Sequence, residues 1–252
     1  MKVRPSGALR SLVVRPATDD SALLHVRLRD DTIVPDVDEL RCWLDAIASG
    51  ASAPATIRTA ALFPLAAARF QAVGFAVADR LALLRAELDD RRVQAAVRGG
   101  GDRATRTMRR HHFGAAAVID RAAFGAGWGH DAKELTEICH ATPVHAARYR
   151  AAGPRRLAAP GRGELVAFAI AGASSEHGYL QRLAVHPHAR RHGHGRALTV
   201  EVLRWMMRRR LPDCLVNTSV DNSAALELYR SIGFADMDEQ LTVLHADVRS
   251  LR

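Results

Sequence analysis

Residues 178–195 read GYLQRLAVHPHARRHGHG: an apolar strand, a turn at Pro187, then a loop whose two glycines, Gly193 and Gly195, open a helix. Such a junction is a device for holding phosphate. Loop N–H groups converge on an anion, and the first N–H groups of a helix have no partner inside it. Glycine permits the tight curl that this requires. Arg190, Arg191 and Arg196, with His192 and His194 among them, surround the loop with positive charge. The chemistry expected is a grip on the pyrophosphate of a coenzyme. A second group of polar residues follows in Asn222-x-x-Ala225-x-x-x-Tyr229, just before Gly233-Phe234. Seven residues are close to two helical turns, so a helix there presents Asn222 and Tyr229 on one face.

These residues need a scaffold, and apolar periodicity supplies one. ELVAFAIA (164–171) is apolar enough to be a core strand, and the strand of residues 178–185 follows it. A helix from Arg196 to about Arg210 places Leu198, Val202, Trp205 and Met206 inward, and Leu211-Pro212 ends it. Strands are expected at 9–16, 56–62, from Phe75 to near Leu88, within 103–112, and at 145–151, 214–220 and 234–248. Helices are expected at 36–50, 64–73, 113–124, 132–140 and 222–232. Asp36 and Glu39 make a capping box, and Gly233 caps the last helix. GPRRLAAPGRG (153–163) reads as an exposed turn.

The chain also contains a diverged copy of part of itself. Setting Gly74-Phe75 on Gly233-Phe234, an offset of 159, aligns Thr59 with Thr218, Ala66 with Ala225 and Asp79 with Asp238. The differences fall where ligand chemistry would be. Phe70 stands opposite Tyr229, Phe63 opposite Asn222, and Val34 and Asp36 opposite Gly193 and Gly195. Asp30, Asp31 and Asp36 would repel a phosphate. The first copy therefore reads as a scaffold that kept its packing and lost its ligand. RRVQAAVRGGGDR, with glycines at 99–101, reads as a flexible linker, giving domains 1–98 and 103–252 joined by residues 99–102.

Composition narrows the class. The 252 residues are 48% hydrophobic, enough for a real core, and carry no apolar run long enough to span a bilayer. Cys42, Cys139 and Cys214 are widely spaced, which suits a reducing compartment and offers no metal spacing. The N-terminus lacks a secretory pattern, so a cytoplasmic location is expected. The formal charge of +9 is almost all arginine and spread along the chain. With 5% aromatic residues, a base-stacking surface is disfavoured.

Residues 103–252 resemble the GNAT superfamily of N-acetyltransferases. The resemblance rests on Arg190-x-x-Gly193-x-Gly195, the strand ending LQRLAVHP, and Asn222-x-x-Ala225-x-x-x-Tyr229 leading into Gly233-Phe234. It implies an α/β fold around a mixed central sheet, with a smaller degenerate GNAT-like domain before it. It further implies acetyl-CoA as co-substrate, with the main chain of Leu183, Ala184 and Val185 along the pantetheine arm and holding the thioester oxygen at a strand bulge. Arg191 to Arg196 would wrap the pyrophosphate, Asn222 would lie near the coenzyme, and Tyr229 near its sulfur. That position makes Tyr229, whose phenol is protonated at neutral pH with a reference pKa of about 10, the candidate general acid for the departing thiolate, whose reference value is about 8.5.

No base stands out. Members that acetylate protein N-termini carry a glutamate five residues before the asparagine, where this chain has Asn217. His186, His177, Glu176, Glu137, His130 and a water chain remain candidates, as does catalysis mostly by positioning. The expectation is an acetyl-CoA-dependent N-acetyltransferase acting on a primary amine of a small molecule or protein. No metal or membrane partner is expected, and the oligomeric state is open between monomer and homodimer. A non-catalytic acyl-CoA-binding protein and a basic nucleic-acid-binding protein are the alternatives.

Overall fold

The computed structural model describes residues 11–16, 23–30, 33–49, 56–99, 105–125, 127–151 and 165–248. The loop at 51–54, glycines 100 and 101 and the turn at 153–163 lie outside them. In chain order the elements are β1 (Leu12–Pro16), β2 (Leu23–Leu28), α1 (Val37–Ala48), β3 (Thr56–Thr59), α2 (Pro64–Ala72), β4 (Ala76–Glu87), α3 (Arg91–Gly99) and β5 (Arg106–Thr107). Then come α4 (Phe113–Phe124), α5 (Ala132–Cys139), β6 (Val144–Ala151), β7 (Leu165–Ala173), β8 (Gly178–Val185), α6 (His194–Met207), β9 (Asp213–Ser219), α7 (Ser223–Ile232) and β10 (Ala235–Asp247).

The chain forms two compact units that interleave in sequence. Unit 1 holds residues 1–83, 217–222 and 237–252; unit 2 holds 84–216 and 223–236. In unit 1 the strand order is β1-β2-β3-β10-β4. β1 and β2 are antiparallel, β2 and β3 parallel, and β3 and β10 antiparallel. Its core is Val26, Leu40, Trp43, Ile57, Phe70 and Phe75, completed by Leu244, Ala246 and Val248 from the far end of the chain. In unit 2 the order is β9-β8-β7-β6-β5, antiparallel from β5 to β8 and parallel between β8 and β9. Its core lies between this sheet and helices α4 and α5 and includes Phe113, Ile119, Leu135, Phe168, Ile170 and Ala184.

The elements follow the repeat read in the sequence. At an offset of 159, α1 falls on α6, β3 on β9, α2 on α7 and β4 on β10. The local geometry repeats as well. Phe75 N–H donates to the Phe70 carbonyl at 3.2 Å and Phe234 N–H to that of Tyr229 at 3.1 Å. The paired rings have centroids 5.2 and 5.4 Å apart. The two copies are not the two compact units, however. β10, the last strand of the second copy, lies between β3 and β4, and residues 84–98 of the first copy belong to unit 2.

Two segments differ from the sequence reading. Residues 23–28 form β2, which was not expected; its pattern LLHVRL is short and has polar residues at His25 and Arg27. Residues 91–99, read as linker, are helix. Asp90 accepts from the Arg92 and Val93 N–H groups at 2.7 and 3.2 Å, and Val93 on the inner face is fully buried.

Candidate functional site

The site is built on β8. It pairs with β7 along its length but with β9 only at Gly178–Cys214 and Tyr179–Leu215. From Leu180 to Val185 its register partners therefore lie on β7 alone. His186 N–H donates to the Val166 carbonyl of the β7 side at 2.9 Å. N–H directions alternate along a strand, so the N–H groups of Leu183 and Val185 point away from β7, and that of Ala184 toward it. The expected bulge is present but sits earlier than Leu183. The register slips between Ile170 and Ala171 of β7, leaving Gln181 as the extra residue.

After β8, Pro187 starts a 3₁₀ turn and the chain reaches Arg190, Arg191 and Gly193. Arg191 adopts φ 65°. Gly193 is the N-cap of α6 at φ 73°, ψ 6°, and no side chain caps the helix. The corresponding helix of the first copy, α1, is closed by its own residues. Asp36 accepts from Glu39 N–H at 2.8 Å, and Glu39 accepts from Asp36 N–H at 2.9 Å. The first-turn N–H groups that α1 satisfies with a carboxylate have no side-chain cap in α6 and suit an external anion. A Cβ on Gly195 would lie 3.2 Å from Leu228 Cδ2 and 3.8 Å from Val185 Cγ2, so its absence lets α6 approach α7 and β8. Around the loop, Arg190 is tied to the Ala123 carbonyl at 3.2 Å, His192 Nδ1 contacts the Arg190 carbonyl at 2.8 Å, and His194 accepts from Arg150 at 3.1 Å. Arg196 bonds Ser231 at 3.1 Å.

Tyr229 lies on α7 and is 4% exposed. Burial raises its phenol above the ordinary value, with neighbouring Cys214 adding to the shift, so it stays protonated at neutral pH. Asn222 belongs to unit 1 and immediately precedes α7 rather than lying within it. Its amide donates to Thr218 Oγ1 at 3.2 Å. Leu183, Ala184, Val185, the 190–196 loop and Tyr229 all belong to unit 2, and Asn222 does not.

The two faces of β8 differ. Leu183 and Val185 turn toward Gly195, whereas Arg182 and Ala184 turn toward α4 and α5. There Arg182 makes a bidentate pair with Asp120, at 2.8 and 2.7 Å, and lies 3.7 Å over the Phe124 ring. Asp120, fully buried, also accepts from His130 N–H at 2.7 Å. His130 Nδ1 is 3.5 Å from Glu134. Burial, and then the Arg182 charge, lower His130 against the opposing pull of Asp120 and Glu134, leaving it neutral at pH 7. Asp120 and Arg182 were missed in the sequence. The available signal was a carboxylate on the same helical stripe as Phe113, Ala116 and Ala117, where burial demands a partner.

Of the base candidates, His130 lies in this cluster and His186 directly follows β8, where its Nδ1 accepts from His188 N–H at 3.4 Å. Glu137 is on α5. His177 and Glu176 precede β8, at the opposite end from Val185, roughly 25 Å away at about 3.3 Å per strand residue. His177 Nδ1 contacts Asp213 at 2.9 Å, joining the start of β8 to the start of β9. No three His, Cys, Asp or Glu side chains among the described residues are grouped to hold a metal. No described helix is long and apolar enough to cross a membrane.

The sequence model described as "Acetyltransferase (GNAT) family" matches residues 116–234, and this segment belongs to that family. Solved structures with a similar fold include a GCN5-related N-acetyltransferase from Sphaerobacter thermophilus, at 14% identity and TM-score 0.57, covering 94% of this chain and 76% of that one. A GCN5-related N-acetyltransferase from Kribbella flavida is 15% identical with TM-score 0.55, covering 95% and 91%. A tandem GNAT protein from the clavulanic acid biosynthesis pathway is 13% identical with TM-score 0.57, covering 89% and 75%. No curated protein matches the sequence.

Proposed function

We propose that this protein is an acetyl-CoA-dependent N-acetyltransferase acting on a primary amine, with its working site in the second sequence copy, residues 103–252. The first copy, residues 1–98, is a scaffold, and 99–102 join the two. The carrying observation is the run from Leu180 to Gly195: a strand paired on one side, entering an αL glycine and a helix without a side-chain cap. The residues fit the coenzyme, because a carboxylate closes the corresponding helix in the first copy and none closes this one.

Acetyl-CoA would supply the thioester that an amine attacks. The outward N–H groups of Leu183 and Val185 would hold its arm as an added strand and steady charge on the acyl oxygen. The first turn of α6, with Arg190, Arg191 and Arg196 around it, would hold the diphosphate. Tyr229, kept protonated by burial, would donate to the departing sulfur and cannot serve as the base at neutral pH.

The test combines calorimetry with acetyl-CoA and thiol release across a panel of small amines, peptide N-termini and lysine peptides. Saturable binding with amine-dependent release supports the reading, and absence of binding overturns it. The specific observation favouring a non-catalytic coenzyme-binding protein is Asn217, exposed on β9 where an acidic base would stand. Binding without turnover on any amine would favour that alternative.

A further inference from the structure

Unit 2 contains a pocket of about 460 Å³, within the range of small-molecule sites. It is lined by Arg92, Ala95, Ala96 and Gly99 of α3, Arg196 of α6 and Ser231 of α7. Among the described residues, two guanidinium groups line it and no carboxylate does.

The walls are fixed. Arg204 donates to the Val97 carbonyl at 2.5 Å, holding α3 on α6. A Cβ on Gly233 would lie 2.8 Å from Val93 Cγ2, so this glycine makes room for α3 against the end of α7. Arg92 Nη2 donates to the Arg230 carbonyl at 3.1 Å, and Arg196 Nη1 donates to Ser231 Oγ at 3.1 Å. A guanidinium has five N–H donors, so each arginine is oriented by one bond and retains donors for a ligand. Two like charges sharing one pocket repel each other unless an anion lies between them.

We propose that this pocket is a phosphomonoester site with Arg92 and Arg196 as its two cations, taking the ribose 3′-phosphate of the coenzyme. The identity of the ligand rests on the acetyl-CoA reading. Arg196 is the third residue of α6, so the pocket opens beside the helix end assigned to the diphosphate. Coenzyme A carries its 5′-diphosphate and 3′-phosphate on one ribose. A ligand held at the α6 terminus therefore brings the second phosphate to the adjoining cations. Arg92 falls within residues 1–98, so the scaffold half supplies a side chain to the coenzyme site.

The test is calorimetry on the full chain with coenzyme A, 3′-dephospho-coenzyme A, adenosine 3′,5′-bisphosphate and inorganic phosphate. Charge-assisted hydrogen bonds to a phosphate predict about tenfold or greater preference for coenzyme A over its dephospho form. Arg92→Ala should remove that preference while leaving affinity for the dephospho form unchanged, and Arg92→Lys should restore part of it. Because Arg92→Ala also loses the bond to Arg230, a second variant, Ala96→Glu, places a negative charge in the pocket with Arg92 intact and should weaken coenzyme A more than its dephospho form. Equal binding of the two coenzyme forms by the wild type, or equal weakening of both by Arg92→Ala, overturns the proposal.

Failure of the wild type to bind either form would defeat the acetyltransferase reading separately. In that case adenosine 3′,5′-bisphosphate decides the pocket: binding lost in Arg92→Ala supports a phosphomonoester site, and no binding overturns it. Equal binding of inorganic phosphate and the bisphosphate would overturn the assignment to the ribose phosphate.

Discussion

Gly195 and Tyr229 are the residues at which the two sequence copies part. Gly195→Asp puts a carboxylate in the first turn of α6, two positions after its N-cap Gly193. The carboxylate would occupy the first-turn N–H groups and repel a diphosphate. The expected outcome is loss of calorimetric acetyl-CoA binding with little change in melting temperature, since Asp is favourable near a helix N-terminus and the tight neighbour is a flexible Leu228 methyl group. Retained binding would exclude the α6 terminus from the site. Tyr229→Phe recreates the Phe70–Phe75 pair of the first copy, so packing should survive. Turnover should fall by about 10²-fold or more if the phenol is the acid, with coenzyme affinity unchanged. An unaltered rate would remove that role.

At the level of elements, β8 is held against α4 by one buried pair. Asp120 is fully buried and Arg182 side-chain exposure is 16%. Removing one partner leaves the other charge without compensation, so Asp120→Ala should cost about 3–5 kcal/mol in urea unfolding. A loss under about 1 kcal/mol would mean that Arg182 finds solvent or another partner. The same elements show what could be read from the chain. Strong apolar periodicity placed α4, α5, α6 and α7 and the strands β7 and β8 within about three residues. β2 went unseen because six residues with polar His25 and Arg27 do not separate a strand from a loop. α3 was hidden because its stabilising contacts come from distant residues, among them Arg204, Arg230 and the space at Gly233.

Across the whole molecule, the interleaving of the copies has consequences for stability. Leu244, Ala246 and Val248 belong to the core of unit 1 although they lie at the far end of the chain. A fragment of residues 1–98 should therefore fail to fold alone, giving no cooperative melting by circular dichroism; a cooperative transition would contradict that core assignment. Buried groups also set a pH window. His130 is lowered by burial, so unfolding takes up protons below its reference value, and stability should decline as pH falls under about 6.5. Cys139, Cys214 and Tyr229 are raised by burial, so unfolding releases protons above their reference values, and stability should decline as pH climbs beyond about 8.5 and more steeply beyond about 10. Urea midpoints across pH would show both slopes. Tyr229→Phe should reduce only the alkaline one, above about pH 10, and His130→Gln only the acidic one.

The sequence alone determined the glycine loop at 190–196, the repeated order of elements and which copy lacks a capping carboxylate at its helix start. Each depends on local backbone permission: glycine where φ must be positive, a capping carboxylate where it must not be needed, and apolar spacing at the helical period. Only the tertiary structure decided that β10 lies between β3 and β4, that Asp120 answers Arg182, and that Arg92 shares a pocket with Arg196. Those pairings join residues far apart in the chain, and no local preference records which distant partner a strand edge or a buried charge will meet.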